Sequence, residues 1–212
     1  MEEKFKVKEI TSKYKSCNNC GLPIVTCICD KYEKINTEAE FVILSTLREV
    51  KKPSNTARLL KLLNEEKTKI LIWERTGEPK ELIEMIRNPR YDPYIVFPAY
   101  NEELEKRKRL FNKSKNIPLF ILIDGTWKEA RRILRKSHYL DEIPILPLEG
   151  DLKTEYDLRR GIESLCTIEA CIELLKMNDE SVNAKRVKDI FYLFVKSYKA
   201  GACGHELKNV VK

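Results

Sequence analysis

Four of the seven cysteines lie close together near the N-terminus, at Cys17, Cys20, Cys27 and Cys29. Four thiolates arranged as a tetrahedron are a ligand set typical of structural zinc sites. Residues 21–23, Gly-Leu-Pro, supply a turn between the two cysteine pairs. The spacing therefore predicts a bound Zn²⁺. The alternative interpretation is a set of reduced thiols without a metal.

A second group of side chains able to do chemistry follows an apolar run near the middle of the chain. Asp124 stands where the run stops, and Gly125 lets the backbone turn. Thr126 and Glu129 form the Thr-x-x-Glu pattern of a helix capping box. A carboxylate here can accept a proton or orient a substrate, and the ring of Trp127 can stack on a base. The structural alternative is that Asp124 only stabilises the turn and Trp127 only packs.

The helix expected after Trp127 carries an excess of positive charge. Offsets of three and four residues place several of its cations on one face, namely Lys128, Arg131, Arg132, Arg135 and Lys136. Such a face would contact RNA phosphates and position the nucleic acid without reading its sequence. The alternative is an ordinary solvated helix face.

Five short apolar runs indicate the strands that position these groups, at residues 41–45, 69–73, 94–97, 119–123 and 143–148. Helical patterns cover residues 56–66, 79–87, 101–111, 127–136, 167–177 and 183–198. This alternation predicts an α/β fold, a mostly parallel sheet with helices on both faces. Ligands bind outside the carboxyl ends of the strands in such sheets, so Asp124 is expected at the mouth of the site.

Length and composition favour one main domain with a small N-terminal appendage. The 212 residues divide into a lead-in with the four-cysteine segment, residues 1–35, and a catalytic domain, residues 36–212. The formal net charge of +7 suits a polyanionic partner. The sequence lacks the roughly 18 consecutive apolar residues of a membrane helix and the apolar run of a signal peptide. We therefore expect a cytoplasmic protein with no membrane contact and no obligate protein partner.

Residues 149–164 form a long polar stretch between the last strand and the next helix. A loop of this length in a compact domain is usually functional or disordered. Arg159 and Arg160 lie in it and could clamp a carboxylate or a phosphate, although we expect one of the two to be simply solvated.

The segment Asp124-Gly125-Thr126-Trp127 resembles the motif that names the DTW-domain family. Three further segments are similar to that family in the same order: the cysteine cluster, residues 55–60, and residues 156–160 with 167–170. The resemblance runs from about Cys17 to about Leu175. The family often has His-Pro where this chain has Thr46-Leu47, and Ser where it has Cys166.

The resemblance implies a fold related to SPOUT enzymes with a C-terminal trefoil knot. It also implies catalytic roles for Asp124, Thr126 and Trp127. The residues that we expect to contact RNA are Arg58, in one of the family-like segments, and Lys128, Arg131, Arg132 and Arg135 of the basic helix face. The residues that the resemblance suggests for binding S-adenosylmethionine are Phe97, Pro98, Ala99, Ile123, Asp124, Gly125, Leu146, Leu148, Leu158, Arg159, Leu165, Cys166 and Thr167.

The activity implied by the resemblance is that of a tRNA-uridine aminocarboxypropyltransferase. Such an enzyme moves the 3-amino-3-carboxypropyl group of S-adenosylmethionine to uridine N3 and releases 5′-methylthioadenosine. Asp124 would be the base or an orienting group, and Trp127 would pack on the cofactor or stack on the uracil. Two alternatives stay open. A non-catalytic zinc-knuckle RNA-binding protein would explain the cysteines and charges, and a SPOUT-type RNA methyltransferase would share the fold.

Overall fold

The computed structural model describes residues 6–148, 154–156, 158 and 165–205, and its centre is a five-stranded sheet in which every strand pair is parallel. The order across the sheet is β2-β1-β4-β3-β5. The strands are β1 (Glu40–Ser45), β2 (Thr68–Ile72), β3 (Tyr91–Val96), β4 (Ile117–Asp124) and β5 (Ile145–Leu146). The α/β class and the parallel sheet predicted from the sequence are therefore confirmed.

The strands are apolar along almost their whole length, because helices cover both faces of the sheet and bury the side chains on each face. Seven helices lie among the described residues: α1 (Leu47–Val50), α2 (Ala57–Leu63), α3 (Lys80–Arg87), α4 (Glu102–Lys106), α5 (Trp127–Lys136), α6 (Thr167–Met177) and α7 (Ser181–Ala202). Phe41, Phe120 and Tyr94 point from the sheet into one core with residues of α2, α6 and α7. Val42 and Ile121 point into a second core with residues of α3, α4 and α5.

Three predicted elements are shorter than the sequence pattern suggested. The helix predicted at residues 101–111 ends at Lys106, because the chain then pairs with the edge of β5. Arg109 N donates to the Ile145 carbonyl at 2.9 Å, and Ile145 N donates to the Arg107 carbonyl at 2.9 Å. Strand β5 itself covers two residues of the predicted 143–148. The helix predicted at 56–66 ends at Leu63, where Asn64 leaves helical geometry.

The cysteine segment packs on the first core. Leu22 and Ile28 are fully buried there together with Cys20, and a short 3₁₀ turn (Ile24–Thr26) lies against the end of α7. Gly201 makes this approach possible, because a Cβ at that position would lie 2.7 Å from Pro23 Cγ. The 3₁₀ turn of the cysteine segment and α7 are therefore in direct contact.

Among the helices of the described residues, none is long and apolar enough to cross a membrane.

Candidate functional site

Asp124, the last residue of β4, is the centre of a buried hydrogen-bond network at the carboxyl edge of the sheet. Only 4% of the residue is exposed. Its Oδ2 accepts from Ser45 Oγ at 2.9 Å and from Asn55 Nδ2 at 2.6 Å, while its Oδ1 accepts from Thr167 Oγ1 at 2.6 Å. Three donors thus hold both carboxylate oxygens, and they fix the orientation of the side chain.

These donors come from three different parts of the fold. Ser45 is the last residue of β1, which pairs with β4 so that Ser45 lies opposite Asp124. Asn55 precedes α2, and Thr167 is the first residue of α6. The neighbouring Thr56 reinforces the junction, because its Oγ1 accepts from the amide of Ile168 at 3.4 Å. The network therefore joins the sheet edge to α2 and α6.

Thr126 begins α5 with the predicted capping box. Its hydroxyl accepts from Glu129 N at 3.4 Å, and Glu129 Oε2 accepts from Thr126 N at 3.1 Å. Arg48 pairs with the same carboxylate at 3.0 Å. Burial by itself would raise the pKa of Glu129, but the hydrogen bonds from Thr126 and the charges of Arg48 and Lys52 bring that pKa below its ordinary value. There is little space for a side chain at Gly125, since a Cβ there would lie 3.2 Å from Glu129 Cβ.

Trp127 stands at the surface in a small aromatic cluster. It is 45% exposed, and its ring meets Phe97 edge to face with centroids 5.3 Å apart. Phe97 also contacts Tyr100 at 6.0 Å. The guanidinium of Arg131 lies over both outer rings, 4.4 Å from the Tyr100 centroid and 5.5 Å from that of Trp127. Trp127 thus offers a partly exposed aromatic surface shortly after the buried Asp124 in the chain.

The residues predicted to bind S-adenosylmethionine separate into two groups by their packing. Phe97, Ala99 and Ile123 pack with the core that includes α5. On the other face of the sheet, the core that includes α6 contains Leu146 and is flanked by partly buried hydrophobic side chains, Leu148, Leu158 and Cys166. Pro98 is exposed, whereas Leu165 and Thr167 are half-buried. Arg159 and Arg160 lie outside the described residues.

Glu169 fastens the described part of the 149–164 loop to α6. Its carboxylate accepts from Thr154 Oγ1 at 2.7 Å, from Glu155 N at 2.6 Å and from Cys166 N at 2.8 Å. Burial raises the pKa of Cys166, so this thiol stays protonated at neutral pH. Cys166 is therefore a packing residue at the start of α6 and not an activated nucleophile.

The four N-terminal sulfurs form a compact group that could hold a metal ion. All of them lie within 4.8 Å of one another. Cys17 Sγ is 3.7 Å from Cys29 Sγ, and Cys20 Sγ is 3.7 Å from Cys27 Sγ. A tetrahedron with Zn–S bonds of about 2.3 Å has sulfur–sulfur edges of about 3.8 Å. The ligand spacing therefore fits zinc.

Gly21 and Arg58 join the cysteine group to the Asp124 network. Gly21 takes a φ of +80°, and a Cβ there would lie 3.0 Å from Arg58 Nη1. Arg58 is 8% exposed and donates through Nη2 to the carbonyls of Val50 at 2.6 Å and Lys52 at 3.0 Å. Burial lowers the pKa of Arg58 to about 10, and the charges of Cys20 and Asp124 oppose that change. The guanidinium is thus buried between the two sites and bonded to the backbone, a position that does not fit the predicted RNA contact.

The predicted basic face of α5 divides into two sides. Arg131 lies with the aromatic cluster of Phe97, Tyr100 and Trp127. Arg132 is on the other side, with its guanidinium over the ring of Trp73 at 5.6 Å. Lys128, Arg132 and Arg135 are exposed there. Lys136 is exposed as well and lines the same pocket as Arg132 and Arg135. The structure therefore brings together four of the five cations of the predicted basic face.

Sequence reasoning missed two donors of the network, Ser45 and Asn55. Ser45 could have been identified as a site residue, because it is the polar residue at the end of an apolar strand, just before Thr46. For Asn55 the one indication was that it lies in a segment similar to the DTW-domain family. Neither residue could be connected to Asp124 without the strand order, which puts β1 and β4 side by side.

Comparison with known proteins identifies the family of the chain. A comparison with solved structures found no match. The family model described as the DTW domain matches residues 14–199, which include the cysteine group, Asp124 and the start of α6. This match covers most of the chain and all the elements that build the site. The chain belongs to the DTW-domain family.

Proposed function

We propose that this protein is a tRNA-uridine aminocarboxypropyltransferase. Its family is consistent with a tRNA-modifying enzyme. The observation that carries the proposal is the position of the Asp124-Gly125-Thr126-Trp127 segment, at the carboxyl edge of a parallel sheet where α/β proteins bind ligands. There an oriented carboxylate, an exposed indole and a cationic helix face follow one another along the chain.

S-adenosylmethionine would bind at this edge. The partly buried side chains of Leu148, Leu158 and Cys166 offer the apolar lining that the adenosine moiety requires. When bound, the donor would supply an electrophilic Cγ beside its sulfonium. The N3–Cγ bond would form as the Cγ–S bond breaks, and 5′-methylthioadenosine would leave with the sulfur electron pair.

We assign Asp124 an orienting role in this reaction. A carboxylate has about four lone-pair sites, and three of them already accept hydrogen bonds. Because the group is also buried, a uridine N3 cannot easily approach it. The network instead sets the relative positions of β1, β4, α2 and α6, and selection of Cγ over the methyl carbon depends on such placement. The N3 proton would then pass to solvent.

Zinc in the four-cysteine site would have a structural role, since four thiolates leave no open coordination position. The trefoil knot that the family resemblance implies belongs to the proposal as well. It depends on the path of residues 149–164, of which the structure describes 154–156 and 158.

Mass spectrometry of uridine nucleosides tests the function. We would incubate the purified protein with tRNA and S-adenosylmethionine, and then digest the tRNA to nucleosides. The proposal predicts 3-(3-amino-3-carboxypropyl)uridine and an equal amount of 5′-methylthioadenosine. Methylated uridine with S-adenosylhomocysteine would instead support an RNA methyltransferase. Retention of tRNA without binding of S-adenosylmethionine would support a non-catalytic RNA-binding protein.

A further inference from the structure

Two concave pockets adjoin on the side of α5 that faces away from Arg131. The first has a volume of about 320 Å³ and is lined by Trp73, Arg75, Arg132, Arg135 and Lys136. The second has a volume of about 460 Å³, and it shares Arg132 and Arg135 with the first while extending to Thr46, Arg48, Thr126 and Lys128. Because they share a wall, the two pockets form one depression, which we call the cationic groove.

The groove follows the carboxyl edge of the sheet. Thr126 stands just beyond β4, Thr46 just beyond β1, and Trp73 just beyond β2. These three strands are neighbours in the order β2-β1-β4. With adjacent strands about 4.8 Å apart, the groove extends roughly 10 Å from the Asp124 segment to the edge of the sheet.

The charged residues that line the cationic groove are nearly all positive. Four cations line the first pocket, and none of the residues lining it is acidic. Arg48 and Lys128 add two more in the second pocket, where Glu129 is the one carboxylate among the lining residues. That carboxylate is already engaged by Arg48 at 3.0 Å and by the Thr126 amide. The other cations of the groove form no ion pair with any residue that the structure describes, so a polyanion can contact them.

Trp73 gives the first pocket an apolar floor. The residue is 8% exposed, and its Nε1–H donates to Ser137 Oγ at 3.0 Å, so its polar atom is satisfied inside the protein. Arg132 lies over the ring at 5.6 Å. An aromatic side chain among several cations is a combination with which proteins bind single-stranded nucleic acid.

We infer that the cationic groove binds a single-stranded segment of RNA that adjoins the target uridine. The segment would run from Thr126, across the end of β1, toward Trp73 and Arg75. This inference rests on the proposed function for the identity of the target nucleotide. The volumes of the two pockets suit individual nucleotides, and unpaired loops are where proteins usually recognise RNA sequence-specifically. Arg131, on the aromatic side of α5, is not part of the groove.

The test uses charge reversal at two exposed groove residues that the site network does not contain, R75E/K136E. The matched control, K185E/R186E, reverses two exposed charges on α7, across the sheet. The probe is total tRNA, with binding followed by fluorescence anisotropy over a range of NaCl concentrations. We expect the groove variant to bind at least about tenfold more weakly. Loss of two single-strand phosphate contacts, at about 0.7 each, should reduce its salt slope by roughly 1.4. The control should bind as the wild type does.

Transfer kinetics on the same preparations separate the two proposals. We expect the groove variant to show a raised KM for tRNA with little change in kcat. If the groove variant keeps the wild-type affinity and KM for tRNA, the proposal that the groove binds RNA is wrong, while the transferase proposal is unaffected. Loss of binding in that variant, with no transfer by the wild type, would overturn the transferase and support the groove. Equal losses in both double variants would also overturn the groove. If R75E/K136E does not fold, R75Q/K136Q gives the same comparison with a smaller expected shift.

Discussion

Asp124 accepts hydrogen bonds from a serine, an asparagine and a threonine, and this set of partners makes asparagine an informative replacement. In D124N the remaining oxygen can face Ser45 and Asn55, while the new amide donates to the Thr167 hydroxyl, which can accept. We expect the melting temperature and cofactor affinity to change little. Transfer should fall by about 10²-fold, because hydrogen bonds to a neutral amide are weaker than those to a carboxylate, and small errors of placement are costly in a displacement reaction.

The pH–rate profile then distinguishes positioning from proton abstraction. If Asp124 orients, D124N lowers the rate at every pH and keeps the shape of the profile. A profile that loses an acidic limb in D124N would instead make Asp124 the base, and a near-wild-type rate would make it a turn residue. D124A is the control for folding, because each buried donor left without a partner costs about 1–3 kcal/mol.

Glu129 leads to a prediction about acid stability. Because its pKa in the folded protein lies below its ordinary value of 4.5, its ionised form stabilises the fold at higher pH. This contribution is complete above pH 4.5 and is lost as the pH falls through the lower folded-state pKa. At pH 7, E129Q should be less stable than the wild type by about 0.3–1 kcal/mol, the usual value of an acidic group at a helix N-terminus. Urea unfolding at pH 7 and pH 3 would measure both differences. A difference that persists unchanged at pH 3 would contradict the assignment.

At the scale of elements, the contact between α7 and the cysteine segment depends on Gly201, because this residue has no Cβ. In G201A the added Cβ would lie 2.7 Å from Pro23 Cγ and 2.8 Å from Thr26 Oγ1. Alanine normally favours a helix over glycine by about 1 kcal/mol, but overpacking of this kind costs about 1–3 kcal/mol. We therefore expect G201A to be destabilised in thermal unfolding. G77A is the matched control, since its Cβ would meet Glu74 at an ordinary 3.5 Å. A G201A variant more stable than the wild type would show that the helix and the cysteine segment do not touch this closely.

The strands were predictable because their signal is local and strong. Residues 41–45 and 119–123 are continuous apolar runs, and each lies inside an observed strand. The helix at 101–111 was predicted too long because its second half pairs with β5, a partner far along the chain. A periodic pattern cannot reveal such competition between a helix and the edge of a sheet. Helix α5 was predicted with its full length, since its capping box fixes the first residue.

At the scale of the whole molecule, removal of the metal should destabilise more than the N-terminal segment. Cys20, Leu22 and Ile28 share one core with residues of α2, α6 and α7. We expect a strong chelator to lower the melting temperature, by roughly 2–4 °C for each kcal/mol lost, and added zinc to restore it. Hydrogen exchange should show weakened protection at the end of α7. C17S/C20S should bind less zinc. Wild-type protein purified without chelator and found to hold no zinc would refute the site.

The position of the candidate site could be predicted from the sequence, but the contacts between its side chains could not. Asp124 was expected at the carboxyl edge because it follows a buried strand, and it lies there. Arg58 was predicted to contact RNA, yet its guanidinium is buried against backbone carbonyls and Gly21. Charge and spacing give the type of a side chain, whereas its surroundings depend on loops that meet only in three dimensions.

The separation of the Asp124 partners along the chain has a consequence for synthesis. Its three donors are 43, 69 and 79 residues away, and one of them, Thr167, comes after it. Contacts between such distant residues form late, because large loops must close first. A nascent chain that has not yet exposed α6 outside the ribosome would have the sheet edge without the complete network. The protein would therefore acquire activity only after α6 has been synthesised, and proteolytic fragments that lack α6 would be inactive.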